Sequence, residues 1–295
     1  MKKTRRNSFR NIISWLLTLS MLLGTMQMPE YTLTVQAGDQ EGAGAVRYLD
    51  ESGQEQTCES ATILTGNETS LDPGWYVVNG DIVFHNSVIL NGQGEYHIIL
   101  ADYGKMSIGT SDDSYYSEDS PVGLGCLYDD ERKNGIKLNI YAQWSGVGNL
   151  GELYINNDSG SPEDRAMVGD AINVDELTIN GGEITCYAGG GNSYGINTKK
   201  LTINGGSVEA FGNPHAVNCT GTVSMNGGSL KAEQNKGYAI NCSGNIMING
   251  GSITATTTGE NGHGINSGED ITINGDNRII GLSRMALGNG EAALT

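Results

Sequence analysis

The sequence predicts an all-β protein folded as a right-handed parallel β-helix, and three observations carry that prediction. A segment of about 23 residues recurs through the second half of the chain, apolar and polar residues alternate within each copy, and an Asn-Gly-Gly turn divides two of its strands. Few aromatic side chains are available for a conventional core, with three Phe and three Trp among 295 residues. Small and β-branched residues have to fill it instead.

Residues 1–37 read as an export signal. Lys2, Lys3, Arg5, Arg6 and Arg10 form a basic head, Ile12 to Leu23 an apolar run, and Val35-Gln36-Ala37 offers the small or branched residues that a signal peptidase reads. The run is shorter than the roughly 20 residues that cross a bilayer, which favours cleavage over anchoring. With no second apolar stretch and no sortase-type motif, the expected product is secreted or surface-associated, with no membrane segment after cleavage, and part of a larger surface protein or assembly.

Residues 38–150 are expected to form an N-terminal cap and irregular coils. Trp75-Tyr76-Val77-Val78, Ser87-Val88-Ile89-Leu90 and His97-Ile98-Ile99-Leu100 read as strands of weak periodicity, and a cap is needed because an open stack exposes sticky edges. Residues 111–135 are polar and acidic and read as a projecting loop. Ser161-Pro162-Glu163-Asp164 has the residues of a helix start.

Residues 151–280 hold the regular repeats. The triplets Ala171-Ile172-Asn173, Gly195-Ile196-Asn197, Ala216-Val217-Asn218, Ala239-Ile240-Asn241 and Gly264-Ile265-Asn266 follow one another at steps of 24, 21, 23 and 25 residues. Seven or eight residues after each triplet comes Asn180, Asn204, Asn226, Asn249 or Asn274, and Asn-Gly-Gly begins at the first four. Leu153-Tyr154-Ile155-Asn156 is a degenerate earlier copy, which makes about six coils. Leu201, Ile203, Val208 and Ala210 point inward, as do Val223, Met225, Leu230 and Ala232, and Ile246, Ile248, Ile253 and Ala255. Ile196, Val217, Ile240 and Ile265 supply a third strand. Six coils stacked about 4.8 Å apart make a rod roughly 29 Å long. A leucine-rich horseshoe has a similar period, but leucine is sparse and Asn-Gly-Gly sits between two strands. The asparagines are assigned to folding, through left-handed backbone and amide ladders. Residues 281–295 lose the pattern and read as a C-terminal cap or a truncated end.

Charge narrows the partners. The chain has 17 basic and 34 acidic side chains, and setting residues 1–37 aside leaves 12 against 33, a net of −21. Nucleic acid and anionic membranes are poor partners for such a surface. Cys58, Cys126, Cys186, Cys219 and Cys242 could pair in an oxidising compartment, but their number is odd and no C-x-x-C spacing occurs. Cys219 and Cys242 share one position of the repeat and read as small core or turn residues.

In-register coils turn equivalent positions into files, and one file stands out. Asp170, Tyr194, His215, Tyr238 and His263 each precede a triplet. The rings of Tyr194, His215, Tyr238 and His263 form either a strip for sugar rings or a packed corner beneath the variable loops. Clustered carboxylates are the second candidate: Asp112, Asp113, Glu118 and Asp119 in one loop, and Asp129, Asp130 and Glu131 in another. Oxygens of this kind suit Ca2+, although neither cluster matches an EF-hand or the Gly-Gly-x-Gly-x-Asp repeat. For catalysis the repeats offer little: Lys199, Lys200, Lys231 and Lys236 are the only basic side chains between Asp170 and Asp276, and no nucleophile–base frame is recognisable.

The run from Gly195-Ile196-Asn197 through Leu201-Thr202-Ile203-Asn204-Gly205-Gly206-Ser207-Val208 resembles the signature of a family of bacterial secreted β-helix carbohydrate-binding domains, of the cellulose- and pectin-binding type. The likeness is specific over residues 171–275 and loose over 45–170. It implies a right-handed β-helix like that of pectate lyases, non-catalytic polysaccharide binding and bound calcium. Members often carry an Asp-Gly-Ile step whose aspartate helps to hold calcium. Here only Asp170-Ala171-Ile172 matches, and Tyr194, His215, Tyr238 and His263 stand where the other aspartates would. The expected metal ligands are therefore Asp170, Asp112, Asp113 and Asp119. The expected partner is a polysaccharide, either a neutral plant glycan or calcium-bridged pectin. A structural or adhesive stalk without a small ligand, and a polysaccharide lyase or glycoside hydrolase, are the alternatives.

Overall fold

The computed structural model describes residues 44–109, 123–125, 135–144, 150–157, 169–189, 192–234, 237–258, 262–275, 277–282 and 285–289. Among these the chain is all-β, with twenty-six strands and no helix. One antiparallel pair stands apart from two large parallel sheets, of 16 and eight strands.

The repeat sets the pairing. Ile172–Asn173 and Glu176–Ile179 pair with the two halves of Ile196–Ile203, while Glu183–Ala188 pairs with Ser207–Phe211. The next partners are Val217–Met225 and Ser229–Gln234. After them come Ile240–Cys242, Ile246–Ile248 and Ser252–Thr257. Each strand thus bonds to the equivalent strand one repeat away, as in a parallel β-solenoid. The ladders also run into the first half of the chain, where Glu152–Asn157 pairs with Lys105–Ile108, and Ile136–Ala142 with Gly94–Leu100. Connections of unequal length between short strands hide this regularity in the sequence.

Burial follows the alternation. All sixteen residues expected to point inward, from Ile196 and Leu201 to Ala255 and Ile265, are at most 1% exposed. They belong to one continuous apolar core that runs from Leu64 to Ile271. Burying each Ile, Leu or Val contributes about 1.5–3 kcal/mol, and the small Ala210, Ala232 and Ala255 keep one side of the core narrow.

Polar side chains repeat as faithfully. Asn204, Asn226, Asn249 and Asn274 each donate Nδ2–H to the Oδ1 of the preceding member, starting at Asn180, over 2.8–2.9 Å. A second ladder runs from Asn266 through Asn241 and Asn218 to Asn197, which donates to Asp170 Oδ2 at 2.7 Å. The left-handed backbone expected of these asparagines belongs to glycine instead. Gly228 has φ +70°, and a Cβ there would meet the Gly206 carbonyl oxygen at 2.5 Å. A Cβ on Gly227 would meet the Asn204 carbonyl oxygen at 2.4 Å. Both glycines of the turn are therefore required, one of them by conformation and by the coil beneath it, the other by that coil alone.

Thr198, Cys219, Cys242 and Ser267 form another file, at the corner between two strands. Thr198 Oγ1 donates to Asp175 O at 2.9 Å, Cys219 Sγ to Lys199 O at 3.2 Å, Cys242 Sγ to Gly221 O at 3.1 Å and Ser267 Oγ to Gly244 O at 2.7 Å. The thiols act as hydroxyl equivalents that tie each corner to the coil before it. Cys58, Cys186, Cys219 and Cys242 are free thiols. Burial pushes the pKa of Cys186 up, and contact with Cys242 together with burial pushes up that of Cys219. Cys126 and the expected helix start at Ser161 lie outside the described residues.

The segment that folds back near the N-terminus is a hairpin of Val46–Leu49 and Glu55–Cys58. Asp50 closes its turn by accepting N–H from Ser52 and Gln54, both at 2.9 Å. Val46 and Cys58 pack on the outward residues Val77, Ile99 and Tyr141. This second cover explains the unbroken apolar runs Trp75–Val78 and Ile98–Leu100: those strands are apolar on both faces because both faces are covered.

Two substitutions test the stacked core. Ile240→Ala is expected to lower the unfolding free energy in urea by about 2–5 kcal/mol, and Gly228→Ala by about 1–3 kcal/mol. Unchanged midpoints in both variants would contradict the packing described.

Candidate functional site

The residues preceding the buried triplets do lie in file. The backbone registers them, since Ala171 N–H donates to Tyr194 O at 3.0 Å and Ala239 N–H to His263 O at 3.2 Å. Tyr194 and His215 have ring centroids 5.8 Å apart at an interplanar angle of 9°, and His215 and Tyr238 are 5.3 Å apart at 1°. His263 also lies 5.3 Å from Tyr238 but is turned by 75°, which ends the parallel run. Parallel rings this close cannot share one plane without their edges colliding. They overlap like shingles, so each ring gives part of its face to its neighbour. All four are half-buried.

His215 is fixed within this file. Its Nδ1 lies 3.0 Å from the Tyr238 backbone nitrogen and 3.2 Å from the Tyr238 carbonyl oxygen, so the ring is held against that residue's backbone. Burial lowers its pKa, outweighing the backbone contacts that raise it. Asp170 anchors the start of the file, its Oδ1 accepting the Tyr194 N–H at 2.8 Å and its Oδ2 the Asn197 amide. Each carboxylate oxygen thus spends one of its two lone pairs on an N–H donor. Among the described residues no group of three or more His, Cys, Asp or Glu side chains gathers to hold a metal. Asp112, Asp113, Glu118, Asp119, Asp129, Asp130 and Glu131 lie outside the described residues.

Two further ring stacks escaped the sequence reading. Tyr187 lies parallel to Phe211 at 4.5 Å on the outer face of the eight-stranded sheet. Trp75 lies on His97 at 4.0 Å beneath the hairpin, with Tyr141 beside them. The paired positions of Tyr187 and Phe211 in successive coils were the available signal.

A third feature is a shallow groove of about 610 Å3 on the outer face of the larger sheet. Its central file is Thr202, Ser224, Met247 and Thr272, paired in register across four strands. A flanking file runs from Lys200 past Thr222 and Asn245 to Asp270, and Asn226 and Asn249 of the outer amide ladder form the other wall. The sequence signal was the residue between the two inward positions of each Leu/Val/Ile-x-Ile/Met strand, which is uncharged in every copy from Thr178 to Thr272.

No protein-family model, curated protein or solved structure matches the chain.

The half-buried histidines make stability depend on pH. His215 and His97 both have pKa values held below the ordinary histidine range, chiefly by burial. The folded state therefore binds fewer protons than the unfolded chain in that range. Their contribution is intact above the unfolded pKa of about 6.5 and is lost as pH falls through the folded values. Thermal unfolding is expected to show a falling Tm between about pH 7 and pH 5, with His215→Gln less sensitive than the parent. NMR titration of His215 at or above the ordinary value would contradict this.

Proposed function

We propose that the chain is an extracellular, non-catalytic polysaccharide-binding module, exported by residues 1–37 and built as a right-handed parallel β-helix of about six regular coils with irregular coils before them. The observation that carries the reading is the half-exposed file of Tyr194, His215 and Tyr238. Rings at each step of the stack offer repeated apolar surface with polar edges, which is the surface that pyranose rings meet. A long file suits a long polymer, and the surrounding acidity favours a neutral chain over an acidic one. Pectin would need a calcium bridge, with Asp170, Asp112, Asp113 and Asp119 as its proposed ligands.

The shingled overlap and the hold of the Tyr238 backbone on His215 favour a second reading, in which the rings close a corner of a structural or adhesive stalk. Retention on insoluble cellulose, xylan and pectin, each with and without chelator, separates the two. The binding module is held by at least one of the polymers, and Tyr194→Ala with Tyr238→Ala lowers retention at least tenfold while the strand circular dichroism persists. Full retention by that double variant would remove the ring file from the account. Loss of pectin retention alone in chelator would assign calcium to the acidic glycan.

A further inference from the structure

The groove on the outer face of the larger sheet has chemistry distinct from that of the ring file, and it is lined by none of the ring-file residues. Its central file presents Thr202, Ser224, Met247 and Thr272 outward from four hydrogen-bonded strands. The hydroxyls of Thr202, Ser224 and Thr272 make no hydrogen bond with another described residue. Some outward side chains of the smaller sheet bond one another, Ser229 to Ser207 at 3.1 Å and Lys231 to Glu209 and Glu233. The three central hydroxyls are thus left available to a ligand, whereas Asn226 and Asn249 are engaged in the amide ladder and Asn245 Oδ1 accepts the Asp270 N–H.

The charge of the groove is balanced in a chain of net −17. Lys200 stands at one end and Asp270 at the other, and Lys200 is already within 3.7 Å of the Glu176 carboxylate. Between these ends every lining side chain is a hydroxyl, an amide or Met247. Met247 is 42% exposed and places a polarisable apolar patch in the middle of the file. The hydroxyls both donate and accept, which matches a polyol, while a single apolar patch matches the C–H face of a sugar ring. An acidic polymer would find no free cation here, and an apolar peptide would leave the hydroxyls unpaired.

We infer that this groove is a second glycan-binding surface, which seats an unbranched neutral polysaccharide along the stack, with Thr202, Ser224 and Thr272 bonding its hydroxyls and Met247 under one ring. The inference rests on the polysaccharide-binding reading but not on the ring file. Strands about 4.8 Å apart repeat the same contact along the chain.

The test uses the full chain with 13C-methyl methionine, titrated with cellohexaose and xylohexaose. The Met247 methyl resonance is expected to shift and saturate. The variant Thr202→Val, Ser224→Val, Thr272→Val, which keeps strand-forming side chains on the outer face, is expected to bind at least tenfold more weakly. A still Met247 resonance, or undiminished affinity of the triple variant, while the parent is retained on insoluble glycan, overturns the groove and leaves the ring file standing. A parent that binds no neutral glycan in either form overturns both readings. A groove covered by a second copy, seen as a dimer in sedimentation that the triple variant abolishes, also overturns the inference.

Discussion

Every feature of this fold depends on one constraint: each coil must lie on the last in register, with like atoms above like. Parallel pairing at the strand spacing brings backbones so close that an Asn-Gly-Gly turn lying on another tolerates only glycine, as the 2.5 Å approach of a Cβ on Gly228 to the Gly206 carbonyl illustrates. The same spacing lets an asparagine reach its equivalent, so a side chain that both donates and accepts extends without end. Ile, Val, Leu and Ala fill the interior because a narrow core admits little else. Each coil is too small to bury its apolar face alone, so stability comes from neighbours.

Stacking also determines what the surface can offer. A residue type repeated at one position becomes a file, and its orientation decides its chemistry. Tyr194, His215 and Tyr238 turn partly toward one another, so some of their surface is used in holding the corner. Thr202, Ser224 and Thr272 are half-buried but make no side-chain hydrogen bond to a described residue, and so keep their hydrogen-bonding capacity. One file is built chiefly from rings and the other chiefly from hydroxyls, yet both arise from the same repeat. A polymer with a regular repeat is the natural complement to either.

Much of this was legible in the sequence, and the reasons are particular. The inward positions could be read from Leu201-Thr202-Ile203 and its copies because strand alternation leaves no choice of face. The amide ladders could be read because asparagine recurs at fixed spacing beside glycine, although the left-handed backbone fell to the glycine. The ring file was legible as a set of positions, but the hold of the Tyr238 backbone on His215 and the 75° turn of His263 are not revealed by spacing. The hairpin was illegible, since Trp75-Tyr76-Val77-Val78 reads the same whether its outer face is covered by residues 46–58 or by anything else. The hydroxyl groove was overlooked because neutral polar residues on an outward face are ordinary, and only their coincidence across four strands sets them apart.

The account stands on repeats that are interchangeable units of one stack. Removing residues 217–239 joins Ala216 to Ile240 and deletes one repeat, and removing residues 217–227 deletes about half of one. The full-repeat deletion is expected to retain the strand circular dichroism and cooperative urea unfolding of the parent, while the half-repeat deletion loses both. If the two deletions were equally disruptive, or equally tolerated, the coils would not be stacked in register and the central claim would fail.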